Sequence, residues 1–507
     1  MPRHPAPLRR IALVAPLAAA ILAWPHVAAA TVCSQICPGT GACTISNTVN
    51  VDPDSVLDCG TRSVTITGSG TLKVTGGEME IYAGNLTVNG PGGSILGIED
   101  GDGEPAAVTV ELSGNLVLAG KIRVNGKNGG GTISVDAAGY ITIPESGTDG
   151  VEADGTSPGA DGGDIALRAG GYITISDPIH AAGASSSVTS GGSIEIVAGG
   201  SITINLDGHV SAEGLAGEGG LVSLTSTAGN ITLAEHIDVE GRGATGAGGE
   251  IELTAFGKVD IQQQLTARGG VNTSGGEAFG GHIRARAGCA GITVGASLLA
   301  NGGQLGTRSE SGTVVLETSG NVTVASGVVL DTRALASVGS GGVIDVSAGQ
   351  AVVLSSGSLL DSRGGTGAGG TGGSVRVAGC TVQVTGTATI DVTGDSGGAV
   401  ALNATKAPPA PGTAQPLRIL TGAVLKAKGT VVARDGQLLL APLTRVKGIC
   451  SNNALACDLD ADCTAGCETG ECNGANPDTD GLSTQFDLVP IRTGDGMLAT
   501  CDATCVQ

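Results

Sequence analysis

Residues 191–220 read GGSIEIVAGGSITINLDGHVSAEGLAGEGG, and this stretch decides the fold. Ile194 and Ile196 alternate with polar neighbours, Ile202 and Ile204 do the same, and Val210 and Ala212 repeat the pattern more weakly. Period-two alternation puts each pair on one face of a short strand. Glycine-rich corners separate the three strands. Aligned on the first aliphatic after the Gly-Gly pair or its equivalent, the unit returns at Ile133, Ile165, Ile194, Val222, Ile251, Ile283, Val314, Ile344, Val375 and Val400. The spacings are 32, 29, 28, 29, 32, 31, 30, 31 and 25 residues. Self-similarity at that period marks a solenoid.

One turn alone cannot bury its aliphatic face, whereas stacked turns can, each strand pairing in parallel with its equivalents above and below. The expected fold is therefore all-β: a three-sided parallel β-helix over residues 62–446, with about 12–14 turns and a length of ~60 Å at the strand spacing. Its right-handed sense is taken from most known three-sided examples. Sandwich strands would be joined by hairpin signals, and a propeller blade would need a fourth strand. The corner glycines Gly139, Gly171, Gly200, Gly229, Gly257 and Gly320, each followed by a polar or turn-tolerant residue, are expected to supply positive φ. Loops such as GTSPGADGG, GASSSVTSGG, GRGATGAGG and RGGTGAGGTGG follow the third strand and should line up along one edge. They read either as tolerated insertions or as a binding edge.

Composition agrees with many short strands and tight corners. The chain of 507 residues holds 89 glycines, and its one tryptophan, Trp24, lies in an N-terminal export signal. That signal spans residues 1–30: basic Arg3, Arg9 and Arg10, an apolar run from Ile11 to Trp24, and a cleavage site at Ala28-Ala29-Ala30. The expected mature protein is secreted or displayed at the outer cell surface, without a transmembrane anchor. Once those three arginines leave with the signal, 47 acids face 23 bases, a formal charge of −24 against −21 for the whole chain. Such a surface excludes a nucleic-acid backbone as partner.

The 13 cysteines fall into an N-terminal group (Cys33, Cys37, Cys43, Cys59), a middle pair (Cys289, Cys380) and seven between Cys450 and Cys505. Export makes disulfides the default. Residues 31–61 and 447–507 read as Cys-rich caps over the open sheet edges of the rod. Cys289 and Cys380 occupy the same corner three turns apart, too far for one disulfide, and read as mostly free.

Outward positions of the third strand carry Glu152, Ser211, Asp238, Asp331, Asp361 and Asp391, with Asp154, Glu213 and Glu240 close by. They read as a solvated acidic face or as a row of weak calcium sites. The acidic loop Glu99–Glu104 has the same two readings. A candidate calcium loop starts at Asn476, with Asp478, Asp480, Gly481 and Asp487 at the third, fifth, sixth and twelfth positions. Its alternative is an ordinary Asx/Gly turn. Cys457-Asp458-Leu459-Asp460-Ala461-Asp462-Cys463 is weaker, because a cysteine stands where glycine is needed. A zinc site in this cluster would have no histidine.

Pectate lyases, polygalacturonases and related polysaccharide enzymes use β-helices, so a diverged carbohydrate-active site is the enzymatic alternative. No NTD…DD…GHG…RIK series occurs, stacking aromatics are scarce, and His180, His209, His236 and His282 are read as scattered singly. Ice binding through threonine columns would need regular TxT stacking, which Thr65/Thr67 show and later turns do not hold.

The GGxIxVxAGxIxI units resemble the β-helical repeats of bacterial filamentous-haemagglutinin-like and other surface adhesin proteins. The resemblance implies an exported rod for attachment, matrix or surface-layer roles, with extracellular polysaccharide, matrix or a host or neighbouring cell surface as partner. Two hypotheses follow: a non-catalytic structural or adhesive rod, and a carbohydrate-active β-helix enzyme.

Overall fold

The aliphatic register read from the sequence is the register of the backbone. Ile133 pairs with Ile165, Ile165 with Ile194, Ile194 with Val222 and Val222 with Ile251. Ile283, Val314, Ile344, Val375 and Val400 continue the column one turn at a time. The computed structural model describes residues 31–147, 150–185, 189–243, 246–270, 277–303, 308–404, 417–430 and 435–441, with three short strands beyond. Three parallel sheets of 14 strands each run its length. Sheet I runs from Cys43–Ile45 to Leu417–Ile419, sheet II from Thr48–Val51 to Val424–Lys426, and sheet III from Ser55–Asp58 to Gln437–Ala441. The chain visits them in the order I, II, III in every turn. The inward aliphatics form one continuous core, with Ile165, Ile173, Ile179, Ile194, Ile202 and Val210 all essentially inaccessible. Each such side chain contributes about 1.5–3 kcal/mol of burial. β-Branched residues fit the pleat and resist any helical alternative.

The strands Cys43–Ile45, Thr48–Val51 and Ser55–Asp58 already pair in parallel with the turn that follows. The N-terminal Cys-rich segment thus carries the first turn of the rod. Its four cysteines pair among themselves, Cys33 with Cys59 and Cys37 with Cys43. Past the last turn, Lys447–Cys450 lies antiparallel to Ala456–Asp458 and to Cys472–Gly474. The expected export signal of residues 1–30 and the candidate calcium loop of Asn476, Asp478, Asp480 and Asp487 lie outside the described residues.

Two expectations are corrected. The corner glycines Gly139, Gly200, Gly257 and Gly320 are not among the residues with positive φ, which occurs instead at Gly327, Gly357 and Gly422 in the corner between sheets I and II. Glycine is required at the former positions by crowding: a Cβ on Gly139 would strike the Asn115 side chain, and one on Gly320 the Cys289 carbonyl. The Gly-Gly pairs follow the same rule. A Cβ on Gly191 would strike the carbonyl of Ala212, and one on Gly192 that of Gly163. There the chain pinches each loop at its neck, the Gly192 N–H donating to the Ala181 carbonyl at 2.7 Å and the Gly220 N–H to that of Ala212 at 2.7 Å. Second, Cys289 and Cys380 are not free, for each takes part in a disulfide. Their corner positions keep both outside the aliphatic core.

Paired TxT stacking is not held along sheet I, in line with the sequence reading. The Thr67 column fails as expected, but the Thr65 column holds. Thr44, Thr65 and Thr87 are successive partners at the outward centre of sheet I, and Thr142, Thr174, Thr203 and Thr232 are four more.

Candidate functional site

Sheet II is where the acids gather, and the structure changes their meaning. Arg123, Glu152, His180, Ser211, Asp238 and Thr266 form successive rungs of one outward column. Further on, Asp331, Asp361 and Asp391 are direct neighbours. Instead of a solvated face, Glu152, Asp331, Asp361 and Asp391 are buried. The cause is local. Each aspartate begins a loop by accepting the N–H two residues on: Glu240 to Asp238 at 2.9 Å, Arg333 to Asp331 at 3.0 Å and Thr393 to Asp391 at 3.1 Å. This is the Asx-turn geometry that short carboxylates favour.

Arginines then lie across the column. Arg363 grips both oxygens of Asp361 at 2.8 and 2.7 Å, and Arg333 reaches Asp331 at 3.2 Å and Asp361 at 3.6 Å. Arg123 donates to Glu152 at 2.6 Å, and Asn125 donates to its second oxygen at 3.0 Å. Asp154 accepts the N–H of Ala182 in the next turn at 2.7 Å. The Glu99–Glu104 loop closes on itself too, Asp100 accepting the N–H groups of Asp102 at 2.9 Å and Glu104 at 3.0 Å.

The densest cluster is Glu213, Asp238 and Glu240, whose carboxylate oxygens lie within 4.8 Å of one another. Among the described residues this is the grouping with the geometry to hold a cation. Two guanidiniums already occupy it: Arg242 contacts Glu213 and reaches Glu240 at 3.3 Å and Asp238 at 3.8 Å, while Arg268 reaches Glu240 at 3.4 Å. Burial pushes the Glu213 carboxyl up, and the charge of Asp238 beside it adds to the effect. Burial also raises Glu240.

Next to this cluster, histidines read from sequence as isolated come together. His209 stacks on His236 with ring centroids 3.9 Å apart and meets His180 edge-on at 5.4 Å. Burial, then the neighbouring His236 and His180, hold His209 down at about 4. The missed signal was positional, since His209 and His236 each stand directly before an inward aliphatic of sheet II, Val210 and Ile237. On the opposite corner Tyr140 and Tyr172 stack at 5.0 Å and 3°, each ring covering a face of the other. Near the last turns, a shallow groove of about 500 Å³ runs along the glycine necks at Gly342, Gly373, Gly398 and Gly436.

No protein-family model matches the chain, and no curated protein matches it. The crystal structure of the HMW1 secretion domain from Haemophilus influenzae is similar, with 16% sequence identity and a TM-score of 0.33 over 78% of this chain and 94% of that one. Nothing about activity or partners follows from that likeness. Among the described residues, no helix is long and apolar enough to cross a membrane.

Proposed function

We propose that the chain is an exported rod that works by presenting its lateral faces, a structural or adhesive element without catalysis of its own. One observation supports this above the others: every acid gathered on sheet II is committed to a loop N–H or an arginine. A lyase or hydrolase needs carboxylates left open to a sugar or a cation. The test is incubation of the purified protein with acidic polysaccharides, followed by assay for unsaturated or reducing products. None is expected, and sustained calcium-dependent turnover would sink the proposal. Export is tested separately by N-terminal sequencing of the mature protein, which should begin near Thr31.

A second reading draws on the Glu213–Asp238 pair, one carboxyl raised beside another. That pairing is also what a glycosidase uses to separate acid from base. In this reading Glu213→Gln abolishes turnover found in the same screen. The candidate calcium loop at Asn476, Asp478, Asp480 and Asp487 is tested by melting curves with calcium and with chelator. An unchanged midpoint would count against it.

A further inference from the structure

The chain holds 13 cysteines, and the four at its front pair with one another. Cys289 and Cys380 are each disulfide-bonded. They cannot be bonded to each other. The sheet III strands that lead into them, His282–Ala287 and Ser374–Gly379, lie three strand interfaces apart. Three interfaces make about 14 Å, roughly twice the Cα separation that a disulfide spans. What remains is the seven cysteines between Cys450 and Cys505. The chain has the length to bring them there. From Gln437–Ala441, the last strand of sheet III, two interfaces lead back to the turn of Cys380 and five to that of Cys289. Five interfaces are about 24 Å, and the stretch from Ala441 to Cys450 alone extends to about 30 Å.

The face beside these two cysteines also differs in charge from the rest of its sheet. The earlier turns of sheet III carry Glu80, Asp136, Glu195 and Glu252 outward, with Arg168 as the exception. At the turn of Cys289 the balance reverses. Arg284 and Arg286 share Glu317 at 3.8 and 2.8 Å, and Arg376 reaches Asp345 at 3.5 Å. Three guanidiniums, each more than a third exposed, thus face two carboxylates. Residues 448–507 hold ten acids and one base, Arg492. An acidic segment would there meet the positive part of an otherwise acidic sheet. Phe256, 66% exposed, stands in the same corner one turn before Cys289 and offers apolar surface to cover.

We propose that residues 448–507 run back along the corner between sheets III and I as a strap, disulfide-bonded to the rod at both Cys289 and Cys380. The strap ties together turns that do not touch, which a solenoid's neighbour contacts cannot do. Each bond forms when two thiols pass two electrons and two protons to a disulfide-bearing oxidant, which leaves as the dithiol. The inference takes from the proposed function only an oxidising compartment. A mature chain that kept residues 1–30 would defeat export, while the bonds are decided by a separate measurement.

That measurement is a peptide map of the full chain purified from an oxidising compartment, alkylated in denaturant without reductant and cut with trypsin. Cleavage after Arg286, Arg308, Arg376, Lys406, Lys447 and Arg492 isolates Cys289 in peptide 287–308 and Cys380 in peptide 377–406, and leaves the other seven in 448–492 and 493–507. Masses joining 287–308 and 377–406 each to a C-terminal peptide are expected, and reduction should abolish them. Alkylation of Cys289 or Cys380 overturns the proposal, as does a bond between the two or a dimer through either on a non-reducing gel. Brief trypsin treatment of the native protein gives a second reading. Once cut after Lys447, the wild-type segment should stay with the rod on a denaturing gel until reductant is added. In Cys289→Ser/Cys380→Ser it should be released without reductant, and circular dichroism checks that this variant folds. Release from the wild type without reductant would refute the strap.

Discussion

At the scale of single residues, proximity rather than torsion explains the glycines. Gly192 has no room for a Cβ against the Gly163 carbonyl, whereas Gly101 has nothing within 4 Å. Gly192→Ala is expected to destabilise the rod by about 2 kcal/mol, the range for forced overpacking. Gly101→Ala should stay within about 0.5 kcal/mol of the wild type. Denaturant melts of the two compare them directly, and equal midpoints would refute the crowding argument. His209 makes a second residue-scale case. Its folded pKa of about 4 lies below the ordinary 6.5, so between those values the unfolded chain binds the proton that the folded chain refuses. The stability it contributes is full above pH 6.5 and is lost as pH falls toward 4. Because the ring is only partly buried, the loss should be no more than about 2 kcal/mol. His209→Gln should therefore flatten the fall in stability between pH 7 and pH 5, and an identical fall in both proteins would remove His209 as its source.

At the scale of the element, the sheet II column shows both what was legible and what was not. Alternating aliphatics gave strand, face and register correctly from Ile133 to Val400, because a one-residue slip would expose every inward side chain. The same pattern placed Asp331, Asp361 and Asp391 in one outward file. It could not show that they are buried, since burial depends on the chain turning back at the second following residue and on Arg333 and Arg363 lying across. Those are contacts between turns, absent from any single repeat. Histidine stacking was missed for the same reason, because it exists only between turns. Asp361 allows the two roles of these acids to be separated. Asp361→Asn keeps an acceptor for the Arg363 N–H but removes the charge that Arg363 and Arg333 share, and should cost about 1–2 kcal/mol. Asp361→Ala removes both roles and leaves two guanidiniums over a buried void, for about 3 kcal/mol or more. Equal losses in chemical denaturation would mean that the turn contributes nothing.

At the scale of the whole molecule, a solenoid has no closed core, so its stability is a sum over turns and the interfaces between neighbours. Its ends are exposed sheet edges, and what secures them decides where opening begins. The N-terminal end is held by the Cys33–Cys59 bond, which joins the single helical turn Cys33–Ile36 to the corner after the first strand of sheet III. The bond closes 26 residues of sequence and so restricts the unfolded first turn more than the folded one. Removing it should therefore act locally. In the variant Cys33→Ser/Cys59→Ser, hydrogen exchange should rise through the first turn, residues 43–58, and return to wild-type protection by the strands around Ile141 and Ile173. Several intact interfaces lie between those strands and the damage. A uniform loss of protection along the rod would show that the turns open as one cooperative block, and the nearest-neighbour picture would fall with it. Protection unchanged even in the first turn would instead place the end's stability in the packing of Ile45, Val51 and Leu57 on the turn above, with the disulfide adding nothing measurable.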